Sequence, residues 1–212
     1  MPEGEKGGQL VLLLHGWGAP GDNLVSLARE LGRPRTRFLV PAAPLPEQGG
    51  GRAWWHLGDA RPAKVSTDEL PANHHPSPAV AEARRAVQTL LREAVQRYAP
   101  ESIAIAGFSQ GAQLALDVAL AADPRVDRVA VLSGALLADS LAALHASQPP
   151  LPAVFMAHGR NDKVLSYESA ESIQKLLRRR GYSLTFFPFD GGHQIPASVV
   201  AQLRSFLSGS AG

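Results

Sequence analysis

Two kinds of apolar pattern alternate along this chain. Short stretches in which every position is apolar, at residues 10–14, 103–106, 129–132 and 153–157, are separated by longer stretches of helical character. The first kind reads as strands buried on both faces, the second as helices laid against them. Strands are predicted at residues 9–14, 37–40, 102–106, 128–132, 153–157 and 183–187. Helices are predicted at residues 22–31, 112–120, 166–180 and 196–207, and a long one from Ser77 to Tyr98. Ser77 ahead of Pro78 is a good N-terminal cap, and Pro100 stops that helix. Gly181 closes the helix before it, and Arg178, Arg179 and Arg180 in its last turn oppose the helix dipole. Strand and helix in alternation predict an α/β fold, a mostly parallel central sheet with helices on both faces. In such sheets ligands bind beyond the carboxyl ends of the strands.

One segment has no clear period. Residues 41–76 hold many prolines and glycines, with Gly49-Gly50-Gly51, Trp54-Trp55 and His74-His75. Connections this long are uncommon without a function. The segment is expected to belong to a single domain spanning residues 1–212 and to cover the active site.

Composition narrows the classes. The chain has 212 residues, 45% of them hydrophobic, enough for one substantial core. Formal net charge is +2, which gives no reason to expect a nucleic-acid or membrane-surface partner. There is no cysteine, so disulfides, thiolate metal sites and a cysteine nucleophile are all excluded. Residues 10–14 are too short a run for a signal or membrane-spanning segment, and a cytoplasmic location without stable membrane insertion is the expectation.

The chemistry centres on Gly107-Phe108-Ser109-Gln110-Gly111. Gly-x-Ser-x-Gly between a predicted strand and a predicted helix is a nucleophile elbow, a sharp strained turn that lifts Ser109 Oγ into the open at a helix N-terminus. A serine hydroxyl needs a base within hydrogen-bond reach, and the base needs an orienting acid. For this elbow the chain order is Ser, acid, His. After Ser109 the acids on loops are Asp162 and Asp190, with Asp139 further off; the histidines are His145, His158 and His193. Asp190 stands too close to His193 in sequence. His145 follows a predicted helix. His158 precedes the acid and suits loop support. Asp162 and His193, each just after a predicted strand, remain. An oxyanion hole needs two backbone amides: Gln110, next to the nucleophile, and Trp17, in the glycine-rich His15-Gly16-Trp17-Gly18 that ends the first strand. Trp54 and Trp55 offer apolar area for an acyl pocket, against the alternative of one buried and one surface indole. No group of residues has metal-ligand spacing.

Four stretches then match one family in order: His15-Gly16-Trp17-Gly18, Arg52-Ala53-Trp54-Trp55, Gly107-Phe108-Ser109-Gln110-Gly111, and His158-Gly159-Arg160-Asn161-Asp162-Lys163-Val164 ahead of Gly192-His193. The chain resembles the small carboxylesterase/phospholipase group of α/β hydrolases, which includes acyl-protein thioesterases. The resemblance implies the α/β-hydrolase fold and a serine esterase with the triad Ser109, Asp162 and His193. It also implies oxyanion amides at Trp17 and Gln110, no cofactor, and homodimer formation. Two departures stand out. His56 follows Trp54-Trp55 where the family commonly has Asp, and Ala112 stands where Gly is common. The expected activity is hydrolysis of small to medium acyl carboxylic esters through an acyl-enzyme. A thioester on an acylated protein or a lysophospholipid is the alternative substrate. A binding protein on the same scaffold would usually lack a triad member, and here all three residues stand in order.

Overall fold

A computed structural model describes residues 6–63 and 75–209. Six parallel strands form the central sheet: β1 (Gln9–Leu14), β2 (Thr36–Leu39), β5 (Ser102–Phe108), β6 (Arg128–Leu132), β7 (Ala153–Gly159) and β8 (Leu184–Phe189). Their spatial order is β2-β1-β5-β6-β7-β8. Every residue of β1 is buried, since it pairs with β2 and β5 and has both faces covered.

Period two sorts each strand between two cores. Leu10, Leu12, Leu14, Ile105, Val129 and Val131 point to one face. There they meet α2 (Pro78–Tyr98), α3 (Gln110–Ala121), α4 (Leu141–Ala146) and α5 (Tyr167–Arg179). Val11, Leu13, Ala104, Ala106, Ala130 and Leu132 point to the other, against α1 (Val25–Leu31) and α6 (Ala197–Leu207). The α2 stripe Val80, Ala83, Val87, Leu91 and Ala94 is buried at helical spacing. Each large side chain there contributes about 1.5–3 kcal/mol by leaving water. Ser77 caps α2 as expected, its hydroxyl accepting from the Val80 amide at 3.3 Å. Asp139, from a short 3₁₀ turn at Ala138–Ser140, accepts from the Ser77 amide at 2.9 Å.

The structure departs from the predicted elements in three places. Helix α1 starts at Val25, because residues 21–24 form turns ahead of it. His145 lies inside α4 and not after a helix. Within the segment expected to be a plain loop, β3 (Leu45–Pro46) and β4 (Arg52–Ala53) pair antiparallel. That hairpin leans on the turn after β1: the Gly18 amide donates to Arg52 O at 2.9 Å and the Arg52 amide to Ala19 O at 3.0 Å. Further on, the Ala63 amide donates to Leu136 O at 2.7 Å and the Ala138 amide to Arg61 O at 3.0 Å. The segment thus runs from the end of β2 to the loop after β6, tied down along the way. His74 lies outside the described residues, and His75 is exposed.

Candidate active site

The site grows from the end of β5. Ser109 takes φ 55° and ψ −118°, a region that a non-glycine residue enters only under strain of about 1–3 kcal/mol. Three backbone bonds hold it there. Its amide donates to Leu132 O at 3.0 Å, and its carbonyl accepts from Ala112 at 3.0 Å and Gln113 at 3.1 Å. Gly111 explains how α3 can start so abruptly. A Cβ at Gly111 would lie 2.1 Å from Leu14 O and 2.5 Å from His15 O, so only glycine lets the helix pass the end of β1. That passage sets the turn after β1 beside the start of α3.

The turn itself is braced from beneath. His15 is fully buried, and its Nε2 accepts from the Ala43 amide at 3.0 Å. Its proton therefore sits on Nδ1, which donates to Gly16 O at 2.8 Å. Burial lowers the His15 pKa, the Gly16 bond opposes this, and nearby Arg52 adds to the lowering; the ring is a neutral strut. A turn closes from Gly16 O to the Ala19 amide at 3.3 Å, with Trp17 at its second position. The Trp17 amide is not the one that closes this turn. Gln110 is the first residue of α3, and such an amide has no acceptor within its own helix. The indole of Trp17 is 43% exposed and donates to Glu47 Oε1 at 3.2 Å, an atom also 3.3 Å from His56 Nδ1.

The loops after β7 and β8 are stitched together. The Arg160 amide donates to Phe189 O and the Asn161 amide to Gly191 O, both at 2.9 Å. Gly159 lets them meet, since a Cβ there would lie 2.3 Å from Gly192 O. In this arrangement the Asp162 side chain is buried, and Oδ2 accepts from His193 Nδ1 at 2.7 Å. Oδ1 accepts from the amides of Val164 at 2.8 Å and Leu165 at 3.0 Å. Burial alone would raise the Asp162 pKa. The bonds from His193, Leu165 and Val164 outweigh it and hold the carboxyl below its ordinary range, so Asp162 is an anion. The His193 ring packs on Phe108, the neighbour of Ser109, with centroids 4.8 Å apart. Among the described residues no hydrogen bond joins Ser109 Oγ to His193.

The other sequence candidates fall into supporting places. His158 Nε2 bonds Leu165 O at 2.8 Å and lies 3.4 Å from Asp162 Oδ2, so it braces the loop. Asp190 is 95% exposed and faces Arg160. Trp54 and Trp55 form no open acyl wall: they are 4% and 3% exposed and belong to the main core. Trp54 Nε1 donates to His15 O at 2.9 Å, which fixes the strand end from which the turn departs. The side chain of Gln110 is a role the sequence did not disclose. Its Oε1 accepts from the Trp54 amide at 2.9 Å, and its Nε2 donates to Trp55 O at 2.8 Å. Among the described residues no group of three or more His, Asp or Glu is placed to hold a metal, and no helix is long and apolar enough to cross a membrane.

A parallel sheet with a strained serine between β5 and α3, and with an Asp–His pair on later loops of the same edge, defines an α/β hydrolase. The chain belongs to the Phospholipase/Carboxylesterase family, whose profile matches residues 2–211. That membership makes it a hydrolase of the esterase class. It is 26% identical to acyl-protein thioesterase 1 of Neurospora crassa over 93% of this chain and 85% of that protein. It is 25% identical to a probable carboxylesterase SOBER1-like of Arabidopsis thaliana over 93% of this chain and 77% of that protein. The crystal structure of esterase PE8 superposes with a TM-score of 0.79 at 25% identity, covering 100% of this chain and 97% of that one.

Proposed function

We propose that the protein hydrolyses small to medium acyl carboxylic esters through a covalent acyl-enzyme on Ser109. One observation carries this reading. The 2.7 Å bond from His193 to a buried, ionised Asp162 orients an imidazole that packs, tilted, against the residue next to a strained serine. Asp162 holds the proton of His193 on Nδ1, which leaves Nε2 as the base. His193 takes the Ser109 proton as Oγ attacks the ester carbonyl. The amides of Trp17 and Gln110 receive the oxyanion, each donor contributing about 3–4 kcal/mol in the transition state. The proton passes to the leaving alcohol, and water repeats the sequence to free the acid. Exposed Trp17 and Val164, on the loops that present these groups, suit an acyl chain more than a polar one.

The test is labelling with a fluorophosphonate followed by nitrophenyl esters of increasing chain length, with a matched thioester beside them. Ser109→Ala should lose both labelling and turnover, by up to about a million-fold. Equal turnover by the alanine variant would sink the reading. A thioester cleaved in preference to its ester would move the substrate to the class named in the Neurospora acyl-protein thioesterase and leave the mechanism unchanged.

A further inference from the structure

Four parallel strands begin together at the edge of the sheet opposite Ser109: β1 at Gln9, β2 at Thr36, β5 at Ser102 and β6 at Arg128. A cavity of about 400 Å³ opens there, lined among others by Gln9, Arg33, Arg35, Ser102, Arg128 and Ser208. Three of its walls are arginines, and they are not equivalent. Arg35 is spent on Glu101, 2.5 Å away. Arg33 Nη2 donates to Gln9 Oε1 at 2.5 Å and to Leu207 O at 2.9 Å, both neutral acceptors. Arg128 reaches along the chain toward Gly209, where a Cβ would lie 2.7 Å from its Nη2. Among the described residues neither Arg33 nor Arg128 has a carboxylate partner.

Glu101 also lines this concavity and is the carboxylate that Arg35 pairs with, which leaves the two guanidiniums of Arg33 and Arg128 in excess there. Burial, and then the charge of Arg128, lower the pKa of Arg33 and register the cost. Helix C-capping explains part of this. Leu207 O belongs to the last turn of α6, the negative pole of its dipole, so Arg33 has a structural role there. It does not explain Arg128, which among the described residues has no such acceptor. A tetrahedral dianion would satisfy both. It cancels two charges where a carboxylate cancels one, and its oxygens match the guanidinium fork.

We propose that this cavity binds a phosphate-type oxyanion, free or as a monoester, between the guanidiniums of Arg33 and Arg128. The site is separate from the ester chemistry, because it lies at the amino ends of the strands and Ser109 at a carboxyl end.

Arg128→Gln tests it, since among the described residues the guanidinium removed makes no hydrogen bond. Thermal melting and calorimetry would use inorganic phosphate and 5′-AMP, with sodium chloride at matched ionic strength as the reference. In phosphate-free buffer the variant should melt at or above the parent, because a repulsion has gone. Phosphate or AMP should raise the parent melting temperature saturably with one-to-one stoichiometry. The variant should bind at least about tenfold more weakly. Ser109→Ala should bind as the parent does, which keeps this result independent of the proposed catalysis. The tighter of the two anions identifies the free or the esterified form. The proposal is overturned if chloride reproduces the phosphate shift or if Arg128→Gln binds as tightly as the parent. It is equally overturned if that variant melts well below the parent without anion. Arg33→Lys, which keeps the charge near Leu207 O but loses the fork, should bind more weakly while melting close to the parent.

Discussion

Asp162→Asn separates catalysis from stability because of how the two carboxylate oxygens are used. Oδ1 accepts from two amides, Val164 and Leu165, and Oδ2 accepts from His193 Nδ1. In the variant the asparagine oxygen must stay on the two amides, since its NH2 there would set donor against donor. The NH2 group then faces His193 Nδ1, which must become an acceptor. The imidazole proton moves to Nε2, the atom that should take the proton of Ser109. The base is present, well placed and in the wrong tautomer. Inverting the tautomer in this way costs about ten-thousandfold in kcat, or roughly 5.5 kcal/mol of barrier. Both loop bonds survive, so the melting temperature should move by only a few degrees. The assay is single-turnover hydrolysis of a short nitrophenyl ester beside the rate of fluorophosphonate labelling, and both should fall together. Asp162→Ala gives the contrast: it also strands the two amides, so it should lose activity and melt clearly lower. A folded Asp162→Asn protein that keeps more than a tenth of the parent rate would refute the proposed role of the Asp162–His193 bond.

The depressed Asp162 carboxyl also predicts a pH effect on stability. Its folded pKa lies below the unfolded value of about 3.9, so the contribution is complete above that value and is lost as pH falls through the folded one. Urea unfolding at several acidic pH values should show a steeper acid loss for the parent than for Asp162→Asn. Gln110→Glu keeps an acceptor for the Trp54 amide but turns the donor facing Trp55 O into a second acceptor, and should cost about 2 kcal/mol of stability, read by denaturant unfolding, while lowering kcat. Gly111→Ala sets a methyl 2.1 Å from Leu14 O, a backbone atom that cannot swing away. The expected loss is about 3 kcal/mol or more, read by thermal melting.

The sequence disclosed what short-range patterns control and missed what distant side chains impose. Strand β1 and helix α2 were legible to the residue, because an unbroken apolar run and a Ser-Pro start are local signals. The elbow was legible for the same reason, and its context foretold a strained turn at Ser109, which the structure gives as φ 55°. The Asp162–His193 pair followed from chain order, and the structure joins them at 2.7 Å. Residues 41–63 were illegible because their partners lie elsewhere in the chain. Ala43 is set by His15, Arg52 by Ala19, and Trp54 and Trp55 by the carboxamide of Gln110. A two-residue strand pair has no period to read, and a glutamine that imitates a backbone strand looks like any helix-start glutamine. The tryptophans were misplaced too: both indoles lie in the core, on backbone that the carboxamide of Gln110 holds. The consequence for the site is mechanical. The residue that offers its backbone amide beside Ser109 also grips the segment that supports the carbonyl of His15, and His15 in turn sets the Trp17 turn. The two proposed oxyanion donors are therefore linked through one chain of hydrogen bonds, and loosening Gln110 should disturb both together.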